Sequence, residues 1–313
     1  MAELLSQYAA QVGDKVRRGV IEVFAAENPL LSVLRFQDLG DQIIYEYNRE
    51  ASLGGVGFRA LNGEYSAAAK GVGIVNPIRE VTAILGGEVP VDRQLYGNTT
   101  IRANKTAMKA KAAARFYVKN FLKGDLADDP KGFIGLYERM IGANIAYAGD
   151  NGGSLVLLDL DAIIDRVIGE NAQKMLVMCA AMRRLLGAIV RAAGATQMSM
   201  AEWAGPTQLK SYNGCRIIDP SEDETGTDIM GFNEARGNSN VTGSIVCFRP
   251  GVNDEEHVVG LAKAAASGFI EVEEQGVRGT TGTVLVEGRA GMAVHHPRSA
   301  ARYAGILNAM PAA

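Results

Sequence analysis

Three cysteines in 313 residues, Cys179, Cys215 and Cys247, are too few and too scattered for a disulfide framework, and no CxxC pair offers a zinc site. That pattern suits a reducing cytosol. Histidine is equally scarce: His257, His295 and His296 are the only three, and adjacent residues of a strand point to opposite faces, so the pair cannot chelate one ion together. There is no HExxH, no GxxxxGK[ST] and no GxSxG, which removes the sequence support for a zinc peptidase, a phosphate-loop nucleotide enzyme or a hydrolase nucleophile. No run approaches the roughly 18 apolar residues of a membrane span. The opening MAELLSQYAAQVGDKVRR lacks the basic start and apolar stretch of an export signal, so the chain is expected to be soluble, unexported and without a membrane partner. A net charge of −3 argues against a dedicated nucleic-acid binder, so any DNA contact is expected to be local and non-specific.

Acidic residues give no catalytic or metal pattern either. Asp161 and Asp165 stand one helical turn apart, but a carboxylate near a helix start is explained by the helix dipole. Asp219, Glu222, Asp223, Glu224 and Asp228 lack calcium-loop spacing and are expected to decorate a solvated loop. Gly54, Gly55 and Gly57 precede another strand, not a helix, so they do not read as a phosphate loop, and GVRGTTGTV reads as a plain turn. No catalytic residue, cofactor or metal site is assigned.

What is present is an arm. From Asn48 to Arg93 the chain alternates like strand, at Val56, Phe58 and Ala60 going out and at Ile78, Glu80, Thr82 and Ile84 coming back, around a small-residue tip from Ser66 to Gly73. A two-stranded ribbon is marginal alone in water. The stretch has too little apolar bulk for a core of its own, so it needs another surface, and an arm embracing neighbouring copies answers that need.

Elsewhere the periods are clear. Leu5, Tyr8, Val12, Val16, Val20 and Phe24 predict an amphipathic helix ending near Asn28-Pro29. Asn98 to Lys123, rich in Ala, Lys and Met and free of proline, predicts a long helix. One half of it carries Arg102, Lys105, Lys109, Lys111, Arg115, Lys119 and Lys123, and the other Ala107, Ala110, Ala114, Tyr117, Val118 and Phe121, suited to packing on a sheet. Gly124 and DLADDP break the pattern and mark a second lobe of mixed helices and strands. In it LDLDAIIDRVIG and AAMRRLLGAIVRAAG read as helices, and KMLVM, CRIID and SIVCF as strands. FIEVEEQG and TGTVLVEGRAGMAVHHP read as two long strands, the second bulged at Gly288, and RSAARYAGIL as a short helix after Pro297.

GGVGFRALNGEY, the turn through Asn76-Pro77 and ILGGEVPVDR resemble the extended loop of a tailed-bacteriophage major capsid protein. NPLLSVLRF, KTAMKAKAAARFYVKNFLKGD, DPKGFIGLYERM, YNGCRIIDPSEDETGT and GRAGMAVHHPRSAARYAGI follow in the order of that family, whose fold is shared with encapsulins, so the resemblance spans nearly the whole chain. It implies an α+β fold with an N-terminal arm (1–47), an extended hairpin loop and return strand (48–92), a long peripheral-domain helix (93–123), an axial domain (124–267), and peripheral closing strands with a C-terminal helix (268–313). It also implies closing strands paired with the strand after the loop, and a helix running beneath the sheet towards the shell interior.

By the same resemblance the working object is an icosahedral phage head of hexamers and pentamers, self-assembled in the host cytoplasm around double-stranded DNA, with no enzymatic activity. Portal and decoration proteins are implied partners; without a long charged coiled-coil extension, a separate scaffold or none is expected. Arg49, Arg59, Glu64, Arg79, Glu80 and Arg93 are candidates for ion pairs between subunits, from their place on the arm. Lys111, Arg115 and Lys119 are candidates for an interior, DNA-facing role, a solvated face being the alternative. An encapsulin-like compartment and a glycine-rich α/β enzyme are the rival readings.

Overall fold

The computed structural model describes residues 23, 27–52, 54–71, 73–192, 210–251, 257–263 and 270–309. Of the helix expected over Leu5 to Phe24 only Val23, which is helical, is among the described residues; the rest lies outside them. In chain order the strands are β1 (Phe36–Asp38), β2 (Ile44–Ser52), β3 (Ile74–Val81), β4 (Ala83–Asp92), β5 (Ile145–Tyr147), β6 (Met175–Val177), β7 (Ser211–Tyr212), β8 (Cys215–Ile218), β9 (Glu234–Arg236), β10 (Ser239–Phe248), β11 (Val258–Ala262), β12 (Ile270–Arg278), β13 (Thr281–Val294) and β14 (Ala300–Leu307). The longer helices are α1 (Thr99–Lys123), α2 (Leu157–Arg166) and α3 (Ala180–Ala192), and single turns occur at Arg93–Tyr96 and Leu136–Arg139.

Strand β13 is the axis of the peripheral sheet. Its first part pairs antiparallel with β4 on one side, from Thr281↔Asp92 to Ala290↔Ala83, and with β12 on the other. Its last part pairs with β11, to which β1 adds in parallel. Val284 and Val286 alternate inward beneath α1 while Leu285 and Glu287 face away, the period-two division that a sheet covered on one face requires. The expected bulge at Gly288 is absent: Gly288 stays in register with both Ile270 and Leu85, and the irregularity falls instead on β12 between Glu274 and Gly276, where Gly276 takes φ 79°.

Helix α1 starts where Asn98 Oδ1 accepts from the Thr100 and Ile101 amides, and it ends at Gly124, whose amide returns to the Asn120 carbonyl. Alanines at 110, 113 and 114 let it approach the sheet, and Tyr117, Val118, Phe121 and Leu122 fill the gap over Val89, Val91, Val286 and Met292. Tyr117 is fully buried and its hydroxyl donates to the Gly291 carbonyl at 3.0 Å, satisfying the one polar atom it carries inward. Each such side chain contributes about 1.5–3 kcal/mol by leaving water.

The central lobe is a seven-stranded sheet in the order β5-β14-β10-β6-β8-β7, with β9 also beside β10. Helices α2 and α3 bury Leu160, Ile163, Ile164, Leu185, Leu186 and Ile189 against it. Phe248 of this sheet meets Phe121 of α1 edge-on at 6.0 Å, so the two lobes share one packed junction.

Two further expectations need correction. RSAARYAGIL is not a helix: after a 3-10 turn at Pro297–Ser299 it forms β14, inserted between β5 and β10. Its helix formers yield to pairing from Thr242↔Leu307 to Phe248↔Ala300, and Gly305 at φ 76° is incompatible with a right-handed helix. Strand β14 therefore belongs to the central sheet, not to the peripheral lobe. Secondly, the outgoing half of the arm is not strand at Val56, Phe58 and Ala60. The paired ribbon is β2 with β3, beginning at Ile44 and ending at Ser52↔Ile74, and 54–66 is irregular because Gly54, Gly55, Gly57 and Asn62 (φ 63°) interrupt extended backbone.

Candidate assembly arm and its anchor

The ribbon has two unlike faces. Ile44↔Val81 and Glu46↔Arg79 lie on the outer one, where Arg79 Nε meets Glu46 Oε1 at 2.7 Å. Tyr45, Tyr47, Ile78 and Glu80 lie on the inner one, against Leu39, Val259, Leu261 and Ala293. Among the described residues, the arm is fastened to the body at its root alone.

The fastening is polar as well as apolar. Tyr47 Oη donates to the Val294 carbonyl at 2.9 Å, and burial raises its pKa. Tyr45 Oη lies 3.2 Å from His295 Nε2, and the Tyr47 ring meets that imidazole edge-on at 4.8 Å. Arg49 reaches the same strand end through Nε to the His295 carbonyl at 3.3 Å and Nη2 to the Val294 carbonyl. Glu80 forms a two-pronged pair with Arg139 of the Leu136–Arg139 turn, Nη2–Oε2 2.8 Å, with side chains only 12 and 14 % exposed.

Beyond Ser52 the arm leaves the body. Gly55 passes so close to the returning turn Ala67–Lys70 that a Cβ there would sit 1.7 Å from the Ala68 carbonyl oxygen. This explains the glycines mechanically: they let the outgoing and incoming chain touch backbone to backbone. At the tip Val56, Phe58 and Leu61 are at least 94 % exposed. Arg59 lies over Tyr65 at 5.7 Å and donates to the Gly63 carbonyl, and Lys70 pairs with Glu64 at 3.4 Å.

The basic half of α1 is met by acids of the same chain. Lys111 and Arg115 face Glu27 at 3.6 and 2.8 Å; Arg115 also lies 3.8 Å from Glu222, and Lys119 reaches Asp223 at 3.0 Å and Glu224 at 3.7 Å. Asp223 is buried and docked on the helix, an exception to the expected solvated loop, in which Glu222, Glu224 and Asp228 are exposed. Asp223 Oδ1 accepts from the Thr225 hydroxyl and from the Thr225 and Thr227 amides, and these bonds, with Lys119, hold its pKa well below the carboxylate range. The hydrogen bond to Asp223 in turn raises the pKa of Lys119.

No protein-family model matches the sequence, and none of the curated proteins matches it either. Solved structures do match. The holo-SrpI encapsulin complex from Synechococcus elongatus PCC 7942 aligns with TM-score 0.67 over 92 % of this chain and 91 % of that one, at 16 % identity. The capsid of a native GTA particle aligns with TM-score 0.65 over 90 % and 91 %, at 14 % identity, and the cyanophage A-1(L) capsid with 0.58 over 90 % and 93 %, at 11 %. The chain has the capsid fold.

Within that capsid fold the candidate residues separate by position. Arg49 and Glu80 belong to the anchor, their charge already engaged in the chain. Arg79 pairs across the ribbon, Arg59 and Glu64 sit at the tip, and Arg93 is exposed at the start of the turn that follows β4. Tyr45, Tyr47, His295 and Arg139 went unassigned by the sequence reading. The i, i+2, i+4 series Tyr45, Tyr47, Arg49 was the available signal for an inner face, whereas nothing local marks Arg139 or His295 as its partners. Asp161 is not the carboxylate of the first turn of α2: that is Asp159, which accepts from Tyr303 Oη, while Asp161 accepts from Asn213 at 3.4 Å. The three cysteines are free and buried. Among the described residues no cluster of three or more His, Cys, Asp or Glu is placed to hold a metal, and no helix is long and apolar enough to cross a membrane.

Proposed function

We propose that this chain is a major capsid protein that self-assembles, as hexamers and pentamers, into an icosahedral phage head around double-stranded DNA. The observation that carries the reading is the arm: a ribbon fastened at its root and ending in Val56, Phe58 and Leu61, open to solvent. Covering each of these on a neighbouring copy returns about 1.5–3 kcal/mol, a gain repeated at every subunit. The body has its own cores and does not need the exposed tip of the arm to fold. Exposed ion pairs add about 0–1 kcal/mol each, so Arg59, Glu64, Arg79 and Arg93 serve to orient the arm more than to bind it.

Lys111, Arg115 and Lys119 form the inward, DNA-facing stripe in this reading, with intrachain acids sharing their charge. Head-to-tail contacts close into rings of either size when the arm adjusts and each packed core stays rigid. The protein then resides in the virion after assembly in the host cytoplasm, with portal and decoration proteins, and a separate scaffold or none, as partners. Its role is structural, without catalysis.

A second reading, an encapsulin-like compartment, is favoured by the 0.67 likeness to the encapsulin complex. Electron microscopy of the purified chain tests both. Closed particles support a shell, and particles filled with DNA or with a co-produced enzyme separate the two readings. A compact monomer persisting at high concentration overturns both. The informative deletion spares β4, which belongs to the body sheet: replacing 53–73 by Asn-Gly joins Ser52 to Ile74 in their existing register, and should leave a folded subunit that forms no shells.

A further inference from the structure

Glu234 on β9 is a nearly buried carboxylate, 11 % exposed, with both oxygens occupied. Oε1 accepts from Tyr137 Oη at 2.9 Å and faces Lys123 Nζ at 3.1 Å; Oε2 accepts from Arg302 Nη2 at 2.8 Å and from Ser244 Oγ. Burial alone would raise its pKa, but Arg302 and Lys123 outweigh that and hold it below the ordinary value. The two oxygens look at different parts of the molecule. Oε1 faces the end of α1 and the connector turn, and Oε2 faces β10 and β14 of the central sheet. Arg302 Cζ also stands 3.8 Å from the Tyr137 ring centroid.

Tyr137 and Arg139 lie in the same single turn, so one short element grips Glu234 of the central lobe and Glu80 of the arm. The turn has little freedom of its own. The Gly135 amide donates to the Gly124 carbonyl at 2.8 Å, a Cβ on Gly135 would lie 2.5 Å from the Gly124 nitrogen, Leu136 and Met140 are buried, and Arg139 Nε donates to the Ile134 carbonyl. A displacement of Glu80 is therefore passed on as a displacement of Tyr137.

We propose that the Leu136–Arg139 turn mechanically couples the arm to the central lobe, so that the angle of the ribbon and the setting of the central sheet change as one motion. Its use rests on the reading that arms dock on neighbouring copies, since a subunit serving two ring sizes must adjust both parts together. The coupling itself is a property of the single chain.

Hydrogen exchange on the full-length protein tests it, comparing wild type, Glu80→Gln, Tyr137→Phe and the double variant in one assembly state. Glu80→Gln is expected to speed exchange about tenfold both in Ile44–Ser52 and at Glu234–Arg236, and the double variant to exchange at β9 no faster than Tyr137→Phe alone. Acceleration confined to the arm, or additive effects at β9, overturns the coupling. Where Glu80→Gln fails to fold, Arg139→Lys replaces it, keeping the charge while losing the fork. Absence of shells in microscopy would sink the docking reading and leave this result standing.

Discussion

Glu80 of the arm and Arg139 of the connector turn meet in a two-pronged ion pair, Nη2–Oε2 2.8 Å, from which water is largely excluded. They are 59 residues apart in the chain. The arm is thus held at its root by a desolvated charge pair whose two halves cannot be lost separately without cost.

Removing one half leaves an uncompensated buried charge. Glu80→Ala or Arg139→Ala is expected to lower unfolding free energy by about 3–5 kcal/mol, while Glu80→Gln combined with Arg139→Met costs less than either single alanine change. Denaturant unfolding of the four proteins checks this, and strictly additive losses would contradict it.

Gly55 is needed for space. Gly55→Ala places a methyl group where the Ala68 carbonyl now sits, so the tip must open while the peripheral and central cores remain as they are. Limited proteolysis should cut faster between 54 and 71 with the thermal midpoint unchanged to within about 0.5 kcal/mol of stability. Unaltered cleavage would show that the tip relaxes without opening.

Asp223 sets an acid limb on stability. Its folded pKa lies below its unfolded one, about 3.9, so the unfolded state binds more protons in that window. The contribution is whole above about pH 5 and is lost as pH falls through the folded pKa. Lys119, with a raised pKa, contributes below about pH 10 and is lost as pH climbs through its folded value. Asp223→Asn should lower stability at neutral pH and flatten both limbs of the stability–pH curve; limbs of unchanged steepness would assign them to other groups.

Lys111 offers the cleanest test of a DNA-facing stripe. Its side chain is 54 % exposed and its partner Glu27 is 3.6 Å away, whereas Lys119 holds the docked Asp223 in place. Lys111→Ala is expected to weaken retention of packaged DNA and to change subunit stability by less than about 1 kcal/mol. Filled particles that keep their DNA equally well on heating would remove this role from Lys111.

Much of the layout was legible because it is written in local periods. The alanine-rich 3.6-residue pattern marks α1, with Tyr117, Val118 and Phe121 on its buried face. The alternation around Val284 and Val286 marks β13, and the arm shows itself as strand without core. The tip was read as strand too far outward, since Val56, Phe58 and Ala60 keep the period while the intervening glycines abolish the pairing.

The sequence by itself determined which segments are amphipathic, where glycine permits close passage, and that a thin projection would stand apart from the core. Those properties reside in consecutive residues. Tertiary structure alone decided that RSAARYAGIL becomes a strand, because Phe248↔Ala300 pairing and burial of Tyr303 outweigh a local preference worth only tenths of a kcal/mol per residue. It also decided the partners of Glu80, Glu234 and Asp223, since a charge finds its counterion in space, and residues far apart in the chain become neighbours only once the two lobes have packed.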